Sequence, residues 1–253
     1  MAQPDNRYAT SVPTSRTTTA VLDEGLRAYM LRVYNYMAGG VALTGLVAYL
    51  VSSQAYVTNA AGRRTLTDLG QLLYASPLKW VIMLAPLAFV FFLSFRVYKM
   101  STAAAQLSFW LFSAVMGLSL SAIFLVFTGQ SIYRVFFITA AAFAGLSLFG
   151  YTTKKDLSGW GSFLIMGVIG IIIAALVNIF LQSSALQFAI SVIGVLVFAG
   201  LTAYDTQQVK DGYYEIAGDA TAMAKGAIMG ALNLYLDFIN MFTSMLNLFG
   251  DRE

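Results

Sequence analysis

The sequence predicts an all-α membrane protein with seven transmembrane helices, the last of which lies at the centre of the bundle. Of its 253 residues, 58% are hydrophobic and only 11% are charged, whereas soluble domains carry about 25% charged residues. The apolar residues form charge-poor stretches, each long enough for one or two spans of about 20 residues. The final stretch, 226–250, carries a narrow polar stripe that suits a helix surrounded by other helices.

A polar segment precedes the first predicted span. Residues 1–32 contain Ser and Thr clusters and no apolar core, so they do not resemble a secretory signal peptide. We expect residues 1–32 to form a polar cytoplasmic tail that ends in a short amphipathic stretch near 24–32. The seven-helix transmembrane domain is then expected over 33–250.

Charged and polar turns divide the rest of the chain into spans. Lys79 and Arg96 frame the second span, and residues 128–131 and 182–184 interrupt charge-free stretches that are too long for one helix. A polar loop over 205–225 is expected before the last span. The predicted spans are 34–51, 80–95, 104–127, 133–149, 163–181, 186–204 and 226–250.

The distribution of basic residues predicts the orientation. With the N-terminus inside, ten of the 15 lysines and arginines lie on the cytoplasmic side and five lie outside. Cytoplasmic loops carry an excess of Lys and Arg. The sequence therefore predicts a cytoplasmic N-terminus and, with seven spans, an external C-terminus. The net charge of +3 reflects this asymmetry between loops and does not indicate nucleic-acid binding.

The chain contains neither cysteine nor histidine. Their absence excludes disulfides, thiol nucleophiles and thiolate or imidazole metal sites. It also excludes the usual pH switch. Any proton sensing near neutral pH must come from carboxyl groups in unusual surroundings, and no resident cofactor is expected.

The polar stripe of the last span holds the only charge in that segment, Asp237. A carboxylate inside a membrane is expensive and needs a partner or a path to water. Asp205 is the only other acidic residue in or near an apolar span. The stripe follows a 4-3-4-3-4-3 spacing, which places on one helical face Gly226, Gly230, Asn233, Asp237, Asn240, Ser244 and Asn247.

The two carboxyl groups would form a proton switch if they met. At about 4 Å and an effective dielectric near 20, two carboxylates repel by about 4 kcal/mol. The pair would therefore share one proton up to near neutral pH and lose it above. Without the proton, Asp205 and Asp237 could form a weak Ca²⁺ site with Asn233, Asn240, backbone carbonyls and water, because Ca²⁺ takes 6–8 oxygen ligands.

The predicted helix ends leave this meeting open. Asp205 falls at the end of the sixth span, whereas Asp237 lies about 12–18 Å along the seventh. The two meet only if the sixth helix ends below the interface or the seventh tilts. Alternatively, Asp205 is an interfacial loop residue and Asp237 is a structural hydrogen-bonding group. Arg96 is at the right depth to pair with Asp205, or it serves only as a positive-inside anchor.

Two segments resemble the Bax inhibitor-1 family in its bacterial branch. They are Gly200-Leu-Thr-Ala-Tyr-Asp205-Thr-Gln-Gln and Leu234-Tyr-Leu-Asp237-Phe-Ile-Asn240, and the turn Thr153-Lys-Lys-Asp156-Leu-Ser is similar to the family's. The resemblance covers about residues 25–250. It implies seven helices with the last one central, and a pH-sensitive Ca²⁺ leak in the bacterial inner membrane.

The resemblance also implies residue roles. Asp205 and Asp237 match the family's proton-sharing pair, and Arg96 matches an arginine that latches one aspartate in the closed state, with Lys99 as a competing choice. Asn233, Asn240 and Ser244 would support the ion pathway as a polar stripe. The loop between the last two spans looks longer than in compact bacterial members.

Two other classes of function compete with a Ca²⁺ leak. Some bacterial relatives are linked to restraining a membrane-bound AAA protease, so the alternative is an interaction protein that modulates such a protease or a stress response. An intramembrane aspartyl protease is disfavoured because Leu234-Tyr235-Leu236 precedes Asp237 where that class has Gly-x-Gly, and because no proline follows Pro86. We therefore do not expect an enzyme.

Overall fold

The fold is almost entirely helical in the computed structural model, which describes residues 15–58 and 64–252. A short antiparallel hairpin pairs Tyr56 with Leu66. The elements in chain order are α1 (Ser15–Ala55), β1 (Tyr56–Thr58), β2 (Arg64–Leu66), α2 (Asp68–Gly70), a π-helical turn (Gln71–Ala75), α3 (Leu78–Arg96), a 3₁₀ turn (Val97–Lys99), α4 (Thr102–Leu120), α5 (Ile123–Val126), α6 (Gly129–Thr152), α7 (Ser158–Leu181), α8 (Ser184–Ile216) and α9 (Ala220–Phe249).

Six helical segments of the described chain are long and apolar enough to cross a membrane. They overlap the first six predicted spans, and their outward faces carry large apolar side chains such as Phe163 and Phe180, as lipid contact requires. The long helix α9, which covers the predicted seventh span, is not among the six. The fold is therefore that of an all-α membrane protein. The six segments are Leu22–Ala55, Leu78–Lys99, Thr102–Val126, Gly129–Thr152, Ser158–Leu181 and Ser184–Ile216.

Helix α9 packs against the inner faces of four other helices. It contacts α8 most extensively and also α1, α6 and α4. Leu232, Leu234, Tyr235 and Met241 are essentially inaccessible to solvent. A helix that is apolar on several sides is stable only when it is buried, and this composition explains the interior position of α9.

The predicted polar loop over 205–225 is wrong, because most of it is helical. Helix α8 continues to Ile216, and only residues 217–219 connect it to α9. Val209 and Tyr213, four residues apart, are buried, which gives the end of α8 an apolar face in spite of its charges. Asp219 then caps α9 by accepting hydrogen bonds from the next backbone N–H groups. The suggestion of an unusually long loop is corrected in the same way.

Helix α1 begins well before the predicted transmembrane boundary at residue 33. Its residues from Ser15 onward are helical, and Leu26, Tyr29 and Met30 are buried in the core. Apolar positions spaced three and four residues apart extend the buried face toward the N-terminus. Residues 1–14 of the predicted tail lie outside the described part of the chain.

The C-terminal end of α9 is fastened to the beginning of α6. The Thr128 N–H donates to the Asp251 carbonyl (3.0 Å), and the Asp251 N–H donates to Ser131 Oγ (2.9 Å). Arg134 Nη2 lies 3.0 Å from Asp251 Oδ2 in an exposed ion pair. These contacts fix the two ends against each other on the surface opposite the α8–α9 connection.

Candidate functional site

The structure brings Asp205 and Asp237 together on facing helices. Their carboxyl groups lie next to each other, close enough to share a proton. Asp237 is only 3% exposed, whereas Asp205 is half-buried. The contact is possible because Asp205 lies within α8 and not in a loop after it. The sequence had not predicted this arrangement, because it ended the sixth helix at residue 204, whereas α8 continues to Ile216.

Small residues let α8 and α9 pack closely around this pair. A Cβ atom at Gly230 would press on the side chain of Val209, and one at Gly194 would press on Ser244. These two close approaches lie on opposite sides of the aspartate contact along the antiparallel helices. Small residues allow helix backbones to approach in membranes, so the glycines fix the register that aligns the two carboxyl groups.

The electrostatics of the pair favour one bound proton. Asp237 Oδ2 is buried and has no hydrogen-bond donor among the described residues, and neither aspartate forms an ion pair there. An ionised carboxylate only accepts hydrogen bonds. A hydrogen bond between two carboxyl groups therefore requires a proton on one of them. Loss of that proton leaves two negative charges in contact in a low-dielectric interior, which is strongly unfavourable unless a cation enters.

Arg96 does not contact this pair. It is exposed at the C-terminal end of α3, and within the described residues it forms no ion pair with Asp205. Lys99, the competing choice for the latch, is also exposed. The turn after α3 is tied instead to the start of α9, where Lys225 Nζ donates to the Tyr98 carbonyl (3.0 Å). The latch stays a prediction.

The rest of the polar stripe divides into two groups. Gly230, Asp237 and Ser244 are spaced by seven residues, nearly two helical turns, and face α8. Asn233 lies toward one edge of the stripe and is exposed. Asn240 is half-buried, and its Nδ2 donates to the Leu236 carbonyl within its own helix (2.8 Å). These hydrogen bonds therefore do not make either asparagine a direct partner of the aspartates.

Sequence reasoning missed a hydrogen-bonded chain beside the pair. Tyr34 Oη lies 2.7 Å from Ser147 Oγ, which lies 3.0 Å from Thr206 Oγ1. The chain joins α1, α6 and α8 one residue after Asp205. Hydroxyl residues inside apolar spans are the signal for such a chain, but their partners on other helices cannot be read from sequence.

A family model described as "Inhibitor of apoptosis-promoting Bax1" matches residues 26–253. The chain belongs to the Bax inhibitor-1 family. It is 47% identical over 246 residues to an uncharacterized protein of Caulobacter vibrioides, covering 97% of each chain. It is 44% identical over 231 residues to "Inner membrane protein YbhL" of Escherichia coli, covering 90% of this chain and 94% of the relative.

Membership of the Bax inhibitor-1 family confirms the resemblance seen in the segments around Asp205 and Asp237. Together with the six apolar helices, it identifies a multi-pass membrane protein. Within the described residues, no three or more carboxylates cluster as a metal site. Any cation bound by this Bax inhibitor-1 protein at the pair would therefore depend on two carboxylates, carbonyls and water.

The loop between α6 and α7 is clamped to α8 two residues after Asp205. Gln207 is buried; its Oε1 accepts from the Leu157 N–H (2.8 Å), and its Nε2 donates to the Lys155 carbonyl (2.9 Å). The loop is ordered further by Asp156, since hydrogen bonds from Ser158 hold the pKa of that carboxyl below its ordinary value. This clamp makes the family's charged turn part of the support for α8.

Substitution Gln207→Leu is expected to destabilise the protein by about 1–3 kcal/mol, because two backbone groups lose their partners. The measurement is thermal unfolding in detergent micelles. Gln208→Leu is the matched control, since Gln208 makes only one longer bond, 3.3 Å to Ser158 Oγ. Equal stability of the two variants would show that the clamp contributes nothing.

Proposed function

We propose that this protein is a pH-sensitive Ca²⁺ leak channel or transporter gated by the Asp205–Asp237 pair. The observation that carries the proposal is the contact of two carboxyl groups, one of them almost fully buried with an oxygen that no described donor satisfies. Such a pair is stable with one shared proton and unstable without it. Loss or gain of this proton changes the charge inside the bundle, and this change would make conduction depend on pH.

The gating step follows from what the proton does at Asp205. With a shared proton, the carboxyl of Asp205 is held toward Asp237 on α9. Without it, Asp205 is anionic and attracts a cation, and Arg96 on α3 is the proposed latch that holds the closed state. In the structure Asp205 contacts Asp237 and does not pair with Arg96, which is the arrangement expected while the proton is shared.

The transported ion would displace the shared proton and occupy the same place only briefly. Two carboxylates provide fewer oxygens than the 6–8 that Ca²⁺ prefers. Backbone carbonyls and water would complete the shell, and the resulting weak site suits passage better than storage. We propose that α9 is the seventh span, with the N-terminus in the cytoplasm and the C-terminus outside, in a bacterial inner membrane like that named for the Escherichia coli relative.

The test is Ca²⁺ flux into dye-loaded proteoliposomes between about pH 6 and 8. We expect wild-type flux to be higher at the acidic end, because the shared proton keeps Asp205 from the latch. Asp205→Asn should remove the pH dependence, and Asp237→Asn should shift or remove it. Asp211→Asn is the control, since Asp211 is an exposed acid on the same helix.

Two results would overturn the proposal. One is a flux no greater than that of empty liposomes, and the other is a flux that titrates in both variants as it does in wild type. Either result would favour the alternative function, a membrane protein that modulates a membrane-bound AAA protease or a stress response without conducting ions.

A further inference from the structure

A cavity that does not include the aspartate pair lies between α1 and α6. Both helices pack against α8 and α9, but they do not pack closely along each other. The space between them is a cavity of about 640 Å³. Its walls include Arg27, Met30 and Tyr34 from α1 and Phe143, Ser147 and Tyr151 from α6. Leu31 and Leu148, which also line it, are exposed apolar side chains.

The polar groups that line this cavity differ in whether they have hydrogen-bond partners. The hydroxyls of Tyr34 and Ser147 at its floor are hydrogen-bonded to each other, so they do not require a ligand. Arg27 is exposed and forms no ion pair or hydrogen bond within the part of the chain that the structure describes. A guanidinium without an ion-pair partner beside an apolar groove can bind an anion.

Arg27 is the one charged residue among the described residues that line the groove. Lys154 and Lys155 follow the end of α6 but do not line it, and exposed acids lie beside these cations in the sequence: Asp23 and Glu24 before Arg27, and Asp156 after Lys155. The interior of the groove is lined mainly by apolar side chains. Basic residues near a membrane surface each attract anionic lipid by about 1 kcal/mol. This combination is complementary to a molecule with an anionic head and an apolar tail.

The groove is no deeper than one leaflet. From Arg27 to Tyr34 the helix rises about 10 Å at about 1.5 Å per residue, and half of the hydrocarbon core is about 15 Å. A second cavity of about 330 Å³ lies further along α1 and α6, and Val41, Phe137 and Phe238 of α9 are among the residues that line it. Apolar surface is therefore available beyond the groove along the same two helices.

We propose that the groove between α1 and α6 binds an anionic phospholipid, with its phosphate at Arg27 and one acyl chain between Met30 and Phe143. This lipid site uses neither aspartate, although its Ser147 is hydrogen-bonded to Thr206, the residue after Asp205. In the proposed orientation, the lipid comes from the cytoplasmic leaflet.

The experiment uses the full chain in bilayers that contain trace phosphatidylglycerol or phosphatidylcholine with a photoactivatable group on one acyl chain. After irradiation, labelled peptides are mapped by mass spectrometry. We expect phosphatidylglycerol to label residues 27–34 and 143–151 about fivefold more than phosphatidylcholine, the ratio that about 1 kcal/mol gives. On α7, which is exposed along most of its length, the two probes should label equally.

Matched variants separate the head group from the tail. Arg27→Gln should abolish the preference for phosphatidylglycerol, whereas Arg32→Gln, an exposed arginine of the same helix that does not line the cavity, should leave it unchanged. Ala144→Phe should fill the groove and reduce labelling by both probes, whereas Ala175→Phe on the exposed face of α7 should not. Equal labelling by the two probes in wild type, or a preference that survives Arg27→Gln, would overturn the proposal.

Discussion

Replacing Gly150 with alanine is expected to destabilise the protein by about 3 kcal/mol, although it adds only one methyl group. A Cβ atom at Gly150 would overlap the backbone carbonyl of Ala203, where α6 crosses α8. Because the obstacle is backbone, no side chain can rotate away, and the two helices would have to separate. Overpacking typically costs about 1–3 kcal/mol, and an obstacle of this kind places the cost at the upper end.

Gly145 on the same helix provides the control for this prediction. It is exposed, and a Cβ atom there would meet nothing within 4 Å. Gly145→Ala is therefore expected to be neutral or to stabilise α6 by up to about 1 kcal/mol, the gain in helix propensity. The midpoints of thermal unfolding in detergent should move in opposite directions. A Gly150→Ala protein as stable as Gly145→Ala would show that the α6–α8 crossing is not close.

The second large effect is expected for Tyr235→Ala, about 3–5 kcal/mol, the usual cost of emptying a large aromatic site. The Tyr235 side chain is completely buried. Its ring packs edge-on against Phe112 and Phe109, with centroids 5.5 Å and 6.1 Å away. It thereby joins α9 to α4 two residues before Asp237, so its removal leaves a cavity in the core of the bundle.

The hydroxyl of Tyr235 accounts for a smaller part of this effect. Thr44 Oγ1 donates its single proton to the Ser113 carbonyl (2.8 Å), so the Tyr235 hydroxyl must donate to Thr44 Oγ1 (2.6 Å). Tyr235→Phe should therefore cost about 1 kcal/mol. Tyr133→Ala, an exposed position on α6, should have little effect. The same unfolding measurement checks all three, and equal losses for Tyr235→Ala and Tyr235→Phe would contradict the packing argument.

The sequence identified candidate site residues where a charged side chain lies in or near an apolar segment, because charge is costly in lipid. Asp237 could be identified because it is the one charge in an apolar helix, and Asp205 because no other acid was available as its partner. Their contact could not be derived, because charges near residues 210–215 resemble a loop. The burial of Val209 and Tyr213 shows that α8 continues through this charged segment.

Other features depend on contacts that no local pattern encodes. The hairpin that pairs Tyr56 with Leu66 falls in a segment where the sequence indicated only a charged loop. Periodicity placed Asn233 on the same stripe as Asp237, yet Asn233 is exposed and Asp237 is buried. The stripe identified a face of α9 but did not show which of its members neighbouring helices cover.

The attachment of Asp251 to the start of α6 restricts how α9 can move. A piston-like slide by one helical turn, about 5.4 Å, would break the Thr128–Asp251 and Asp251–Ser131 hydrogen bonds and the ion pair with Arg134 at once. At the other end of the helix it would also break the hydrogen bond from Lys225 to the Tyr98 carbonyl. Asp237 lies 14 residues before the Asp251 anchor, about 21 Å along the axis. The carboxyl group of Asp237 is therefore carried by a helix that is fastened at both ends.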